Sequence, residues 1–369
     1  MRKISVELGK NGYDVHIGRG LLARAGAFIV EALAEPPGSM LVVSSPKVWR
    51  LWGRTLERGL KPSRIGPKVI LIPDGEPKKN IHAVGRLMGA FLRAGADRQT
   101  AVVAFGGGVI GDIAGFAASI YMRGIPVIQI PTTLLAQVDA AIGGKTGVNL
   151  REGKNLAGTF HQPRLVLCDI TALATLPERE YRAGLFEVIK CGVIRDPKLF
   201  RRMESETRSV LARRPDAMEA IVRASVAVKA SVVKEDERES DLRRILNFGH
   251  TIGHALETAT HYRRFLHGEA VGLGMIAAAE IGVAARVTPP EVAARIVDTV
   301  MAYGPFPAVE CTARQVLRHV AADKKVMDGV PRFVLATAIG KTKIVSSVSS
   351  RMVADAVRSL REITRRGRR

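Results

Sequence analysis

Cysteine, acid and long apolar runs are scarce in this 369-residue chain, and each scarcity removes a class of protein. Cys168, Cys191 and Cys311 lie far apart with no CxxC pair. That argues against a disulfide framework and a cysteine-built zinc site, and leaves three buried thiols. No stretch of about 18 uncharged apolar residues occurs, so no membrane span is expected. The N-terminal MRKISVELGKNGYDVHIG soon alternates apolar and polar positions and reads as a strand rather than a signal peptide, which points to a cytoplasmic protein. No internal repeat is visible, and the only low-complexity stretch is an arginine-rich end.

Acid is the scarcest against its counterpart: 35 Asp and Glu face 56 Lys and Arg, a net +21. Such a charge suits nucleic acid, an anionic membrane or a small anionic substrate. The basic residues are scattered apart from the tail cluster Arg361, Arg365, Arg366, Arg368 and Arg369. No aromatic residues interleave with that cluster, so it reads as a solvated helix end rather than a nucleic-acid arm. The small anionic substrate is therefore the expected partner, with neither nucleic acid nor membrane.

What is present is ordinary globular material, 47% apolar, in a chain long enough for two cores. Short β-branched runs at 41–45, 68–73, 101–108, 127–133 and 165–170 alternate with helical stretches, the pattern of a parallel α/β layer structure. From Pro177 onward, long helical segments such as 216–237 and 251–259 dominate. The expected division is an α/β dinucleotide-binding domain over 1–172 and a mainly helical domain over 173–369.

In AVVAFGGGVIGDIAGFAAS (101–119) an apolar strand, a glycine cluster and an amphipathic helix follow one another, and Gly106, Gly108 and Gly111 satisfy GxGxxG. Glycines admit a pyrophosphate to the backbone, and the free amides of a helix start attract it. No Asp or Glu occurs between 113 and 138, where an ordinary Rossmann fold places its ribose-binding acid, so a variant dinucleotide fold is expected. Thr132 and Thr133 end the next strand, and Lys145 follows a Gly-Gly turn; hydroxyls and a lysine so placed suit ribose or phosphate oxygens.

The second half carries metal-ligand types: Glu187 with Lys190 at i, i+3, His250 with His254 at i, i+4, and His267 followed by Glu269. One Glu and two His with an open position suit a catalytic zinc or a related ion. Spacing alone nominates His250 and His254 as the pair, since one helical turn separates them. The HExxH pattern is absent, because Thr251 follows His250. Around them stand Lys145, Lys154, Asn155, Lys190, Lys229, Arg243, Asn247, Lys324 and Lys325, a set suited to caging a substrate with two anionic groups.

The segments GGGVIGD, RGIPVIQIPTTLLAQVDAAIGGKTGVN, GKNLAGTFHQP, TLPEREYRAGLFEVIKCGVI, NFGHTIGHALE, HGEAVGLGM and DKK together resemble the 3-dehydroquinate synthase family, in family order across about residues 100–330. The resemblance implies an enzyme of the shikimate pathway that converts a seven-carbon sugar acid phosphate into 3-dehydroquinate and phosphate, using NAD and a divalent zinc or cobalt ion, as a cytoplasmic homodimer. It places the metal on Glu187, His250 and His267, and makes His254 a substrate or proton-relay group. It places Lys145, Asn155, Asn247 and His254 near the substrate phosphate, Arg243 and Lys229 near the carboxylate and ring hydroxyls, and Lys190 and Asp139 in the same cavity. Lys324 and Lys325 stand in the DKK segment, and Arg123 matches a position reaching to a neighbouring subunit. For NAD it nominates Glu76, Lys79, Gly106, Gly107, Gly108, Asp112, Thr132, Thr133, Lys145, Lys154 and Thr175.

The chain departs from the family at Ser44 and Ser45, where an aspartate usually holds the adenosine ribose, at Phe186, and at Ala140 and Ala141. Three other readings compete. A sister cyclase acting on a neutral sugar phosphate is disfavoured by Arg243, a metal-dependent alcohol or glycerol dehydrogenase by the many phosphate-directed lysines, and a nucleic-acid-binding protein by the catalytic groups it would leave idle.

Overall fold

The computed structural model describes residues 1–33, 37–63, 65–239, 242–323 and 331–366. Two compact units emerge, one of Met1–Pro177 with Met218–Arg238 and one of Glu178–Ala217 with Glu239–Arg369. The expected boundary at 172/173 thus falls at 177/178, and residues 218–238, expected in the helical half, pack with the first unit. Helical periodicity reveals that a segment is a helix but not which core its apolar face joins.

The first unit opens with β1 (Arg2–Val6), β2 (Tyr13–Gly18), α1 (Ala25–Ala32), β3 (Ser39–Ser44), α2 (Pro46–Leu60), β4 (Lys68–Leu71) and α3 (Ile81–Arg93). It continues through β5 (Thr100–Gly106), α4 (Gly108–Ile120), β6 (Val127–Pro131), the hairpin β7 (Lys145–Leu150) and β8 (Gly153–Phe160), and β9 (Leu165–Asp169). Seven of these strands form one sheet in the order β1-β2-β9-β6-β5-β3-β4, parallel except for the β1–β2 pair.

Successive side chains of a strand point to opposite faces, and here both faces are covered. Leu41, Val43, Val102 and Ala104 face Val84, Leu87 and Phe91 of α3 and Ile110 and Ile113 of α4. Their neighbours Met40, Val42, Ala101, Val103 and Phe105 face Phe28 and Ile29 of α1 and Leu56 and Leu60 of α2. The uninterrupted apolar run at 101–105 is a strand buried on both sides. Helix starts are set locally, by Ser45 accepting from Val48 N with Pro46 behind it, and by Asn80 accepting from Ala83 N.

The second unit holds α5 (Glu178–Ile194), α6 (Pro197–Ser205) and α7 (Thr207–Leu211); α8 (Pro215–Glu235) begins there and runs into the first unit. After it come α9 (His250–Ala259), α10 (His267–Ala284), α11 (Pro290–Ala302), α12 (Ala313–Asp323), an antiparallel hairpin of β10 (Phe333–Ala338) and β11 (Lys341–Val345), and α13 (Ser350–Arg366). Among the described residues, no helix is long and apolar enough to cross a membrane.

Close approach of α10 to its neighbours decides where the second unit's histidines stand. A Cβ on Gly268 would lie 1.9 Å from the Ala183 carbonyl oxygen of α5, and one on Gly274 would lie 1.8 Å from the Gly249 oxygen at the start of α9. The backbones touch there because only glycine leaves room. Phe186 is absorbed by the same packing: it is 1% exposed and stacks on Phe306 with ring centroids 4.8 Å apart.

Candidate functional site

In the first unit the glycine turn stands between β5 and α4 as expected, with Gly107 capping a helix whose first amides meet no capping side chain. A Cβ on Gly106 would come within 2.7 Å of Ile110, and one on Gly111 within 2.8 Å of the Gln129 side-chain oxygen, so these two glycines serve packing around the turn. Thr132 N donates to Gly106 O at 2.9 Å, and Thr133 would meet a Cβ on Gly107 at 3.1 Å. The two hydroxyl-bearing residues thus stand beside the turn. A 13-residue helix that starts at a glycine without a side-chain cap, bordered by two threonines, fits a dinucleotide pyrophosphate.

Beside the turn lies a polar network that spacing did not show. Lys79 is 5% exposed, and its Nζ lies 2.5 Å from Asp112 Oδ2 and 2.5 Å from Asn155 Oδ1. Asn149 Nδ2 donates to Glu76 Oε1 at 2.8 Å, and Lys154 Nζ lies 3.6 Å from the same oxygen. Asn155 adopts φ 55°, a left-handed conformation that asparagine tolerates, with its amide donating to Asn149 Oδ1. Asn149 was not singled out from the sequence, although it stands between Lys145 and Lys154.

Asp139 lies within a π-helical turn at Ala136–Ala140, a form that recurs at functional sites. Lys229 of α8 donates to its Oδ1 at 2.6 Å and to its backbone oxygen at 2.5 Å. Other nominated residues have different surroundings. Thr175 accepts from Trp52 Nε1 at 2.9 Å, Lys145 is exposed at the start of β7, and Arg123 lines a cavity of about 360 Å³ with Arg164, Arg238, His161 and Phe160. Ser44 donates to Phe105 O at 2.7 Å within the sheet and Ser45 caps α2, so both hydroxyls at the end of β3 are committed to the fold.

In the second unit, α5, α9 and α10 bring Glu187, His250, His254 and His267 together. Glu187 is 1% exposed, and its Oε1 lies 3.7 Å from His250 Nε2 and 3.8 Å from His267 Nε2. One ring nitrogen from each of the three histidines falls within 4.8 Å of the others. His250 presents its Nδ1 to Phe248 O and His267 its Nδ1 to Glu257 Oε2, each at 3.2 Å, which leaves both Nε2 atoms for a metal.

Tetrahedral zinc with bonds of about 2.0–2.1 Å separates its ligand atoms by roughly 3.3 Å, so the two spacings from Glu187 Oε1 to the histidines need only a small contraction. Glu187 Oε1 is buried with no hydrogen bond among the described residues, an acceptor atom that a cation would satisfy while Oε2 faces Lys190. Desolvation first, then the charges of Lys190, His254 and His267, pushes His250 well below its usual range, toward the neutral form that ligates. The set Glu187, His250 and His267 therefore fits a divalent metal, with His254, exposed and edge-on to His250 at 5.2 Å, beside it.

Lys190, 1% exposed, pairs with Glu187. Arg243 is also 1% exposed, on the 3-10 turn Leu242–Asn247 that leads into α9, and Asn247 Nδ2 donates to Glu239 Oε1 at 3.4 Å. Glu269 proves structural: it accepts from Leu266 N at 2.8 Å and pairs with Arg179, fixing the start of α10 at His267. Glu257 was missed, though its place seven residues after His250 and three after His254 sets it near their helix face. Lys324 and Lys325 lie outside the described residues.

Residues 69–183 match the family described as 3-dehydroquinate synthase N-terminal, and residues 184–326 its C-terminal counterpart. The chain is 47% identical to the 3-dehydroquinate synthase of Koribacter versatilis, covering 99% of each, and 46% identical to that of Solibacter usitatus, covering 96% of this chain and 98% of the relative. Among solved structures it is similar to the 2-epi-5-epi-valiolone synthase ValA of Streptomyces hygroscopicus with NAD+ and Zn2+ bound (31% identity, 97% and 98% covered, TM-score 0.87). It is also similar to a 2-deoxy-scyllo-inosose synthase complexed with carbaglucose-6-phosphate, NAD+ and Co2+ (25% identity, 97% and 99% covered, TM-score 0.85). An iron-containing alcohol dehydrogenase at 14% identity, covering 95% of this chain and 98% of its own, shares the fold with a TM-score of 0.69.

Proposed function

The chain belongs to the 3-dehydroquinate synthase family of sugar-phosphate cyclases, and from that premise we propose that it converts 3-deoxy-D-arabino-heptulosonate 7-phosphate (DAHP) into 3-dehydroquinate and inorganic phosphate. The observation that carries this reading is its near-full-length similarity to curated 3-dehydroquinate synthases, which exceeds its similarity to the two solved sister cyclases. When bound, NAD supplies a reversible hydride acceptor that acidifies the C–H beside the departing phosphate, and zinc or cobalt supplies Lewis acidity to adjacent hydroxyls.

The amides of Gly107 and Gly108 at the start of α4 receive the cofactor pyrophosphate, with Thr132 and Thr133 beside it. Asp112, Lys79 and Asn155 hold one another, so their share in NAD and substrate binding is to fix the wall of that site. Glu187, His250 and His267 hold the metal. The Lys190 ammonium sits in a desolvated place, where its charge acts on a substrate oxygen more strongly than in water. His254, exposed on α9, moves a proton between solvent and substrate. Arg243 offers a planar fork to the substrate carboxylate, the group a neutral sugar phosphate lacks.

A homodimer is part of the reading. Ile120 and Met122, each 40% exposed, precede Arg123, and Phe160, 47% exposed, lines the same cavity as Arg123; a second copy would cover this apolar surface.

The test is phosphate release by the purified chain with NAD and zinc from DAHP, sedoheptulose 7-phosphate and glucose 6-phosphate, before and after chelation, with absorbance followed at 340 nm. Chelator-sensitive release from DAHP alone, without net NADH, is expected. Release only from a neutral sugar phosphate would move the chain to a sister cyclase, and accumulating NADH would make it a dehydrogenase.

A further inference from the structure

We propose that Glu257 positions His267 for metal binding by fixing which imidazole nitrogen carries the proton; this rests on the metal reading above. Glu257 stands on α9 and is 2% exposed, and its Oε2 lies 3.2 Å from His267 Nδ1. On the far side of the same ring, Nε2 lies 3.8 Å from Glu187 Oε1. An ionised carboxylate only accepts hydrogen bonds, so Nδ1 keeps the proton and Nε2 presents its lone pair toward Glu187. The bond also fixes the plane of the ring and raises the basicity of Nε2, both of which favour a bound cation.

His250 meets the same need differently, through the Phe248 carbonyl, a backbone group that no substitution removes. The two histidine ligands are therefore anchored unequally, one by the main chain and one by a replaceable side chain. Glu257 also adds a second buried carboxylate to a cluster in which Glu187 is already paired with Lys190, and so moves its charge toward what a divalent cation needs.

The experiment uses the full chain stripped of metal, as parent, Glu257→Gln and Glu257→Ala. Zinc affinity is read by competition with a chromophoric chelator, cobalt loading by its visible ligand-field spectrum, and folding by the Tm of the metal-free proteins. The glutamine retains an acceptor but not the charge and should lose about tenfold in zinc affinity; the alanine should lose up to about a hundredfold. Both should shift the cobalt spectrum, with a metal-free Tm close to the parent's. Should the alanine variant fail to fold, the isosteric glutamine carries the test. Parent-like zinc affinity and cobalt spectrum in both variants would overturn the role of Glu257. A parent chain that binds neither zinc nor cobalt would instead overturn the metal reading beneath it.

Discussion

Replacing Gly268 with alanine should damage fold and metal site together, because one backbone contact serves both. The new Cβ would lie 1.9 Å from the Ala183 carbonyl oxygen, where approaches under 3.0 Å are essentially never seen. Helix α10 must then part from α5 by roughly 1 Å, at a cost of about 2–3 kcal/mol as overpacking. That corresponds to a fall in Tm of roughly 5–10 °C. His267 is the next residue, and Glu187 stands one turn beyond Ala183, so their 3.8 Å ligand gap widens toward 5 Å. Two bonds of about 2.0–2.1 Å bridge at most about 4.2 Å, so zinc cannot hold both ligands, and affinity should fall more than about tenfold. Thermal denaturation and chelator competition measure the two effects. The control is Gly85→Ala on α3, where a Cβ meets nothing within 4 Å; it should stabilise by about 0.5–1 kcal/mol and leave zinc affinity alone. A Gly268→Ala protein with parental Tm and zinc affinity would refute the link between helix contact and metal site.

Four further outcomes follow from the same contacts. Zinc at about a hundred times its dissociation constant should stabilise the metal-free chain by about 2.7 kcal/mol, seen as a chelator-reversible rise in Tm. Lys79→Met leaves Asp112 beside the glycine turn without its ammonium and should cost about 3 kcal/mol, with Lys79→Met/Asp112→Leu recovering much of it; urea titration of the cycle decides. All three thiols are buried, and desolvation pushes Cys168 and Cys311 up, so alkylation at pH 8 should proceed only as fast as the chain opens; fast labelling of the native protein would contradict that burial. Phe160→Asp should turn a dimer into a monomer by light scattering, and a parent that is already monomeric would remove the dimer from the proposal.

The sequence by itself determined the layered α/β class of the first unit, the glycine turn with its two threonines and the polar types that gather near it. It also carried the donor types for a cation in Glu187, His250, His254 and His267, among which the family resemblance nominated Glu187, His250 and His267. These are local properties: strand and helix periods, glycine punctuation and donor chemistry are written along the chain. Only the tertiary structure decided that α8 returns to the first unit and sets Lys229 on Asp139. It alone paired Lys79 with Asp112, spent Ser44 and Ser45 inside the fold, and put Glu257 behind His267. Spacing nominated His250 with His254, because a helix turn is all that spacing measures. Glu187 comes from another helix, and its place 3.7 Å from His250 depends on how closely glycine-bearing backbones pack. That distance is set by complementary surfaces far apart in sequence, where local pattern carries no information.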